Sequence, residues 1–467
     1  VSETALPDHP TTLRSGAPFE PTRLVQIELS RALPRVRAQA EGSDLRFVRA
    51  QLLVRWHGAP LGLVTVPLTQ DELRPEAYAP LVWSELGERI NRALREDGQI
   101  EVNGLCGAGL QSAAESPAAR AAAEFLETAP FISVVVPTRD RPEDLQRCLA
   151  ALTALDYPRY EILVVDNASR SAAPAEVVHA WRTRHPQVQY LREDRPGAAW
   201  ARNCGWRQAR GTLVAFTDDD TEVDPQWLLG IARGFAAAPN VGVVSGLTLP
   251  PGLHTPTQQL FEQFSSFSFG FERVVHNLAE QPLPHPLGLY PYSSIKYGVS
   301  VNIAYSLAAL RACGGFSPAL GAGTPSLAGE DVELYLRVLL RGYTAVYEPG
   351  ALLFHHHRVH YDALKKQVFG YGAGTTAFAA KMALNNPRLL WDLLCKFPRL
   401  AYSLLHAGSP KNGGRDPNFP SELRWLEVRG MLYGPFGWLR AEWNARRLSR
   451  PAPVAALAER AVHQPPE

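Results

Sequence analysis

Residues 130–358 predict an α/β fold: a mostly parallel sheet with helices on both faces, flanked by a small α+β N-terminal module and a helical C-terminal region. Three observations carry that reading. Short β-branched runs alternate with segments of helical period from Phe131 to Gln208, the pattern of strand–helix crossovers in a parallel sheet. Two of the runs end in acids, Val164-Val165-Asp166 and Phe216-Thr217-Asp218-Asp219-Asp220, and ligands of such sheets bind beyond the carboxyl ends of the strands. Neither GxxxxGK[ST] nor GxGxxG follows the first strand, which sets aside the common phosphate-loop folds.

Composition sets outer bounds. The chain has 467 residues, enough for two or three domains. Its hydrophobic and charged shares, 46% and 20%, are those of an ordinary folded protein. A net charge of +1 gives no global field favouring nucleic acid. Five scattered cysteines without a CxxC point to a reducing compartment, not to a disulfide framework or zinc ribbon. Val1 to Glu20 show no secretory n-region or h-region, and no uncharged apolar run is long enough to span a bilayer. The expected location is cytoplasmic.

Residues 1–22 and 448–467 read as disordered tails, and 23–107 as the small module. In that module Phe47 to Trp56 and Leu61 to Pro67 form a hairpin about the turn His57-Gly58-Ala59-Pro60, and Tyr78 to Glu96 has helical period. The Ala-, Ser- and Gly-rich stretch 108–129 reads as a partly helical linker. Buried strands are then expected at Ile132–Pro137, Glu161–Val165, Val188–Leu191 and Thr212–Phe216, with helices at Glu143–Leu155, Ala198–Gln208 and Trp227–Ala238. Gly298 to Tyr305 alternates like a strand, Gly329-Glu330-Asp331 opens a helix, and Ala351 to Phe354 leads into His355-His356-His357. The Phe-rich insert 250–297 suits either core or an acceptor-side wall, and Gly370 to Gly374 suits helix packing. Residues 359–447 read as basic amphipathic helices, which either pack on the domain or make peripheral contact with a membrane.

The acids at the fourth strand's end invite a cation. In an extended chain Asp218 and Asp220 point the same way and Asp219 away. Two carboxylates about 5 Å apart repel by about 3 kcal/mol at an effective dielectric of about 20. A hard divalent ion, Mg²⁺ or Mn²⁺, reverses that sign. The competing reading is a solvated acidic loop. An EF-hand does not fit, because Val223 and Leu229 occupy its Gly and Glu positions.

Together, Val134-Val135-Val136-Pro137-Thr138, Val164 to Ser169, Gly197 with Ala201-Arg202-Asn203, Phe216 to Asp220, Gly298 to Asn302, Gly314-Gly315-Phe316, Gly329-Glu330-Asp331 and Pro349 with His355 form an ordered series. The series resembles the inverting family 2 glycosyltransferases, which have the GT-A fold. The resemblance implies that Pro137, Thr138 and Arg139 line a nucleotide base pocket and that Asp166 bonds the base or ribose. It also implies that Arg202 approaches the diphosphate and Asp219 touches the ribose. Asp218 and Asp220 would hold Mn²⁺ or Mg²⁺, with His355 completing the sphere and His356 and His357 pointing elsewhere. Asp331 would be the general base, with Glu330 and Asn302 on the acceptor side. The implied partners are a UDP-, dTDP- or GDP-sugar donor and a glycan, lipid-linked or small-molecule acceptor, with no nucleic acid. Ser306-Leu307 stands where many relatives have Arg, which leaves the acceptor open. The rival functions are a sugar-phosphate nucleotidylyltransferase, which wants a Gly-rich loop where Thr138 to Pro142 has none, and a catalytically silent scaffold.

Overall fold

The computed structural model describes residues 19–39, 45–110, 116–406, 408–409, 411–413, 416 and 419–449. Most of both expected tails, and residues 111–115 of the expected linker, lie outside them.

A nine-stranded mixed sheet forms the centre. Its principal strands are β1 (Ile132–Thr138), β2 (Tyr160–Asn167), β3 (Val188–Glu193), β4 (Leu213–Phe216), β5 (Val241–Leu249), β6 (Ile303–Ser306) and β7 (Thr344–His355). They lie in the order β3-β2-β1-β4-β6-β5-β7. Among them only β6 runs antiparallel to its neighbours. Two short strands, Thr221–Val223 and Val274–His276, add antiparallel to β7.

The continuous apolar runs have a direct cause: the sheet is covered on both faces. Along β1 and β2, Val134, Val136, Ile162 and Val164 enter one core, while Val135, Leu163 and Val165 enter the other. Helix α1 (Pro142–Thr153) places Leu145 and Leu149 in the first core. Helix α2 (Ala198–Gln208) places Ala199 and Ala201 in the second. Helix α3 (Trp227–Ala236) covers the first face and α4 (Glu330–Leu340) the second. The expected mostly parallel sheet with helices on both faces is what forms.

One local expectation fails. Residues before Ile303 are not strand but the 3-10 turns Tyr292–Gly298 and Ser300–Asn302. The Asn302 amide donates to the carbonyls of Leu247 (3.0 Å) and Ala351 (2.8 Å) and accepts from Trp227 Nε1 (2.8 Å). Those bonds bracket three elements, and Asn302 is therefore an internal tie, not an acceptor-side group.

The N-terminal hairpin, Arg49–Trp56 with Ala59–Pro67, joins a parallel strand, Thr22–Glu28, so order begins inside the expected tail. Gly252–Leu253 of the central domain extends that sheet. The buried Arg55 guanidinium also pairs with Asp224 across the junction. The Phe-rich insert is core: Phe261, Phe264 and Phe267 are buried.

Helices α5 (Tyr361–Asn385), α6 (Pro387–Leu405) and α7 (Ser421–Leu448) form the C-terminal region. The glycine run in α5 serves close packing against α7. A Cβ on Gly372 would lie 2.1 Å from the Glu427 carbonyl oxygen, and one on Gly430 would lie 2.1 Å from that of Phe369.

A pH effect follows from the insert. His276 is fully buried, with Nε2 2.8 Å from Tyr335 Oη and Nδ1 3.3 Å from Tyr290 Oη. Burial pulls its pKa from 6.5 down to about 4. The unfolded chain then binds more protons between those values, so stability present above pH 6.5 is lost as pH falls to about 4. The loss amounts to about 3 kcal/mol. Chemical denaturation of His276→Gln is expected to show a flatter pH dependence across that window.

Candidate active site

The carboxyl edge of the sheet gathers the acids. The strand ends at Phe216 and a turn follows, so the alternation assumed for Asp218 to Asp220 does not hold. Asp219 is not turned away from Asp220. Both carboxylates accept from Arg141 Nη1, at 2.7 and 2.9 Å. Asp219 also accepts from Thr138 Oγ1 at 2.8 Å, which ties the end of β1 to the turn. Burial and Asp220 push Asp219 up to about 7, against Arg141 and Thr138. Burial also works against Asp220, but His355 and Arg141 outweigh it and hold that carboxyl well below the usual range.

The antiparallel pairing of Thr221 with His355 brings the end of β7 beside the turn. His355 Nε2 lies 3.4 Å from Asp220 Oδ1. Behind it, His355 Nδ1 lies 3.1 Å from His357 Nδ1, and His357 Nε2 lies 2.6 Å from Glu262 Oε1. His357 therefore backs His355, and the expectation that it points elsewhere is corrected: residues two apart on extended backbone share a side. His356 does turn away, to Glu222 at 2.6 Å. A consistent proton assignment has His357 donating to Glu262 and accepting at Nδ1 from His355. Burial works against a charged His355, but Asp220 outweighs it and raises its pKa, so Nε2 turns a proton toward Asp220 that a bound cation would displace.

Asp218, the most exposed of the three acids, accepts from Arg202 Nη2 at 2.8 Å. Arg202 Nη1 donates to Glu330 Oε1 at 2.7 Å. The guanidinium is buried, 3% exposed, and is committed to two carboxylates instead of facing the crevice as expected. Burial and the adjacent Asp331 push Glu330 up to about 7, against Arg202. Glu330 thus holds Arg202 and is not presented to an acceptor. Asp331 is half-buried at the start of α4; its Oδ2 accepts from Ser300 N (3.0 Å) and its Oδ1 from Val332 N (2.8 Å). Gly329 makes that helix start possible. Its φ is +100°, and a Cβ there would lie 2.8 Å from the Gly374 carbonyl oxygen.

Asp166, at the end of β2, accepts from Ser169 N (3.2 Å), Tyr190 Oη (2.7 Å) and Arg192 Nη1 (2.6 Å). Burial raises its pKa, but those donors win and leave it lowered. Arg139 is exposed and Pro137 half-buried at the mouth of the same edge. Among the described residues no three His, Cys, Asp or Glu side chains are grouped so as to hold a metal ion by themselves.

The sequence pattern of glycosyl transferase family 2 matches residues 133–275, and that of glycosyl transferase family group 2 matches 213–439. Residues 133–275 of the chain thus carry a glycosyl transferase family 2 domain. Glycosyltransferase AglE of Haloferax volcanii is 38% identical over 119 residues, 25% of this chain and 38% of that protein. The pre-mycofactocin glycosyltransferase of Mycobacterium tuberculosis is 29% identical over 260 residues, 55% of this chain and 48% of that protein. The chain thus spans less than half the length of either relative. Among solved structures, the mannosyltransferase PcManGT from Pyrobaculum calidifontis, in complex with GDP-Man and Mn²⁺, is similar at a TM-score of 0.39 and 19% identity, covering 73% of this chain and 85% of that one.

In this family 2 domain the sequence did not single out Arg141 or Glu262. Arg141 stands in the loop after β1 two residues beyond Arg139, and Pro142 directly after it opens α1. That position at a helix start beside the strand ends was the available signal. Nothing local marks Glu262, which reaches the histidines from the insert.

Proposed function

We propose that the chain transfers a glycosyl group from a nucleoside-diphosphate sugar to an acceptor hydroxyl by single displacement, with Asp331 as general base. The observation that carries this reading is Arg202, whose one guanidinium bonds both Asp218 of the triple-Asp turn and Glu330 beside Asp331. Donor cluster and base thereby belong to one site. The acceptor oxygen bonds to the anomeric carbon as the bond from that carbon to the diphosphate oxygen breaks. A hydroxyl is a poor acid, so its proton passes to Asp331 late, as the new bond forms. The amides of Ser300 and Val332 fix the Asp331 carboxylate for that step. Attack from the face opposite the leaving group inverts the anomeric configuration.

Thr138 and Asp219 with Asp166, Pro137 and Arg139 would form the nucleotide side. The donor set of the turn fits Mn²⁺ or Mg²⁺, ions that commonly take one or two protein carboxylates and complete their shell with substrate phosphates. Asp220 and His355 Nε2 would hold the ion, while Asp218 is bonded by Arg202. When bound, the cation stabilises charge on the leaving diphosphate. Because the protein supplies few ligands, Mn²⁺ is expected to bind weakly alone and tightly with the nucleotide. Glu262→Ala removes the support behind His357 and His355 and is expected to weaken Mn²⁺-dependent nucleotide binding by about 10–100-fold by calorimetry. All five cysteines are free, in keeping with a reducing cytoplasmic location.

A thermal-shift and turnover panel of UDP-, dTDP- and GDP-sugars with Mn²⁺ tests the reading. One nucleotide should raise the melting point and its sugar should be released or transferred. A panel in which no nucleotide binds would refute it.

A further inference from the structure

Among the described residues, thirteen of the seventeen large hydrophobic side chains that are exposed lie between Leu384 and Leu448. Ten of the thirteen form two stripes. On α6, Trp391, Leu394, Phe397, Tyr402 and Leu405 recur at helical spacing, and Trp391 and Phe397 are 70% and 65% exposed. None of the residues of α6 is fully buried; its inner side, Leu389 and Leu393, rests on the small core around Met382 and Trp438. On α7 the outward stripe is Trp425, Leu432, Phe436, Leu439 and Trp443, whereas Leu423, Gly430, Gly434 and Trp438 are buried. Apolar residues on the outer as well as the inner side of a helix mark a surface that meets something other than water.

The flanks of these stripes are basic. Helix α6 carries Arg388, Lys396 and Arg399 against Asp392, and α7 carries five arginines against three glutamates. On α7, Arg429, Arg440 and Arg447 each follow an outward aromatic by four residues, one turn along the same side, and Arg447 lies 4.5 Å over the Trp443 ring. No helix is long and apolar enough to cross a membrane among the described residues. Apolar stripes edged by arginine and rich in tryptophan match the boundary between headgroups and acyl chains of an anionic bilayer. A second copy of the chain is the poorer occupant, because a two-fold contact would face these arginine rows with one another.

We infer that α6 and α7 dock this chain on the surface of an anionic membrane, lying in the interface without spanning it. The test is co-sedimentation with phosphatidylcholine vesicles prepared with and without phosphatidylglycerol. The double variants Trp391→Glu/Phe397→Glu and Trp425→Glu/Phe436→Glu serve as probes, and nucleotide binding is the check on folding, since none of the four residues lies at the sheet edge. The wild-type chain should sediment with the anionic vesicles only, and each double variant should lose at least tenfold of that binding. Absence of vesicle binding, binding unchanged in both variants, or a dimer in light scattering that the variants dissolve would each overturn the inference. Vesicle binding needs no turnover, so its failure is distinct from a failure of the proposed reaction.

Discussion

Asp331→Asn is expected to lower the rate of glycosyl transfer by about 10³-fold while leaving donor binding unchanged. Asparagine is nearly isosteric, and its carbonyl oxygen can still accept one of the two amide hydrogen bonds from Ser300 and Val332. It has no basic lone pair for the acceptor proton. The donor side, built from the ends of β1, β2 and β4, is untouched. Single-turnover kinetics with calorimetric donor titration separates the two effects. A loss confined to binding would move Asp331 out of the base role.

Arg202→Met is expected to cost about 3–5 kcal/mol of stability, the range found when one partner of a buried ionic set is removed. Methionine fills much of the aliphatic space but leaves Glu330 buried and Asp218 partly buried without their common counter-charge. The melting point falls, and activity falls with it because the donor turn and the base helix lose their link. Arg202→Met/Glu330→Gln should recover part of the stability, since the deeper of the two carboxylates is then neutral. A double variant no more stable than Arg202→Met would show that the pair contributes through packing alone.

The sheet was legible because its strands are covered on both faces and so are written as unbroken apolar runs. Asp166 and Asp218 to Asp220 could be placed at strand ends on the same grounds. What could not be read was the path of the chain just past those ends. Three consecutive aspartates are compatible with extended backbone and with a turn, and only the turn lets Arg141 take Asp219 and Asp220 together. The segment Gly298 to Asn302 alternates in sequence, yet the hydrogen bonds of Asn302 to Leu247, Ala351 and Trp227 decide its conformation from distant elements. Arg202 illustrates the same limit. Its place on α2 was visible, but its burial between Asp218 and Glu330 depends on where α4 comes to rest.

One site is proposed to carry both the donor cluster and the base of a single displacement. Proton NMR of the anomeric centre, followed from the first turnovers with Mn²⁺ and the donor that the nucleotide panel selects, tests it most directly. The first-formed product is expected to have the anomeric configuration opposite to that of the donor sugar. A product that retains the donor's configuration would contradict it.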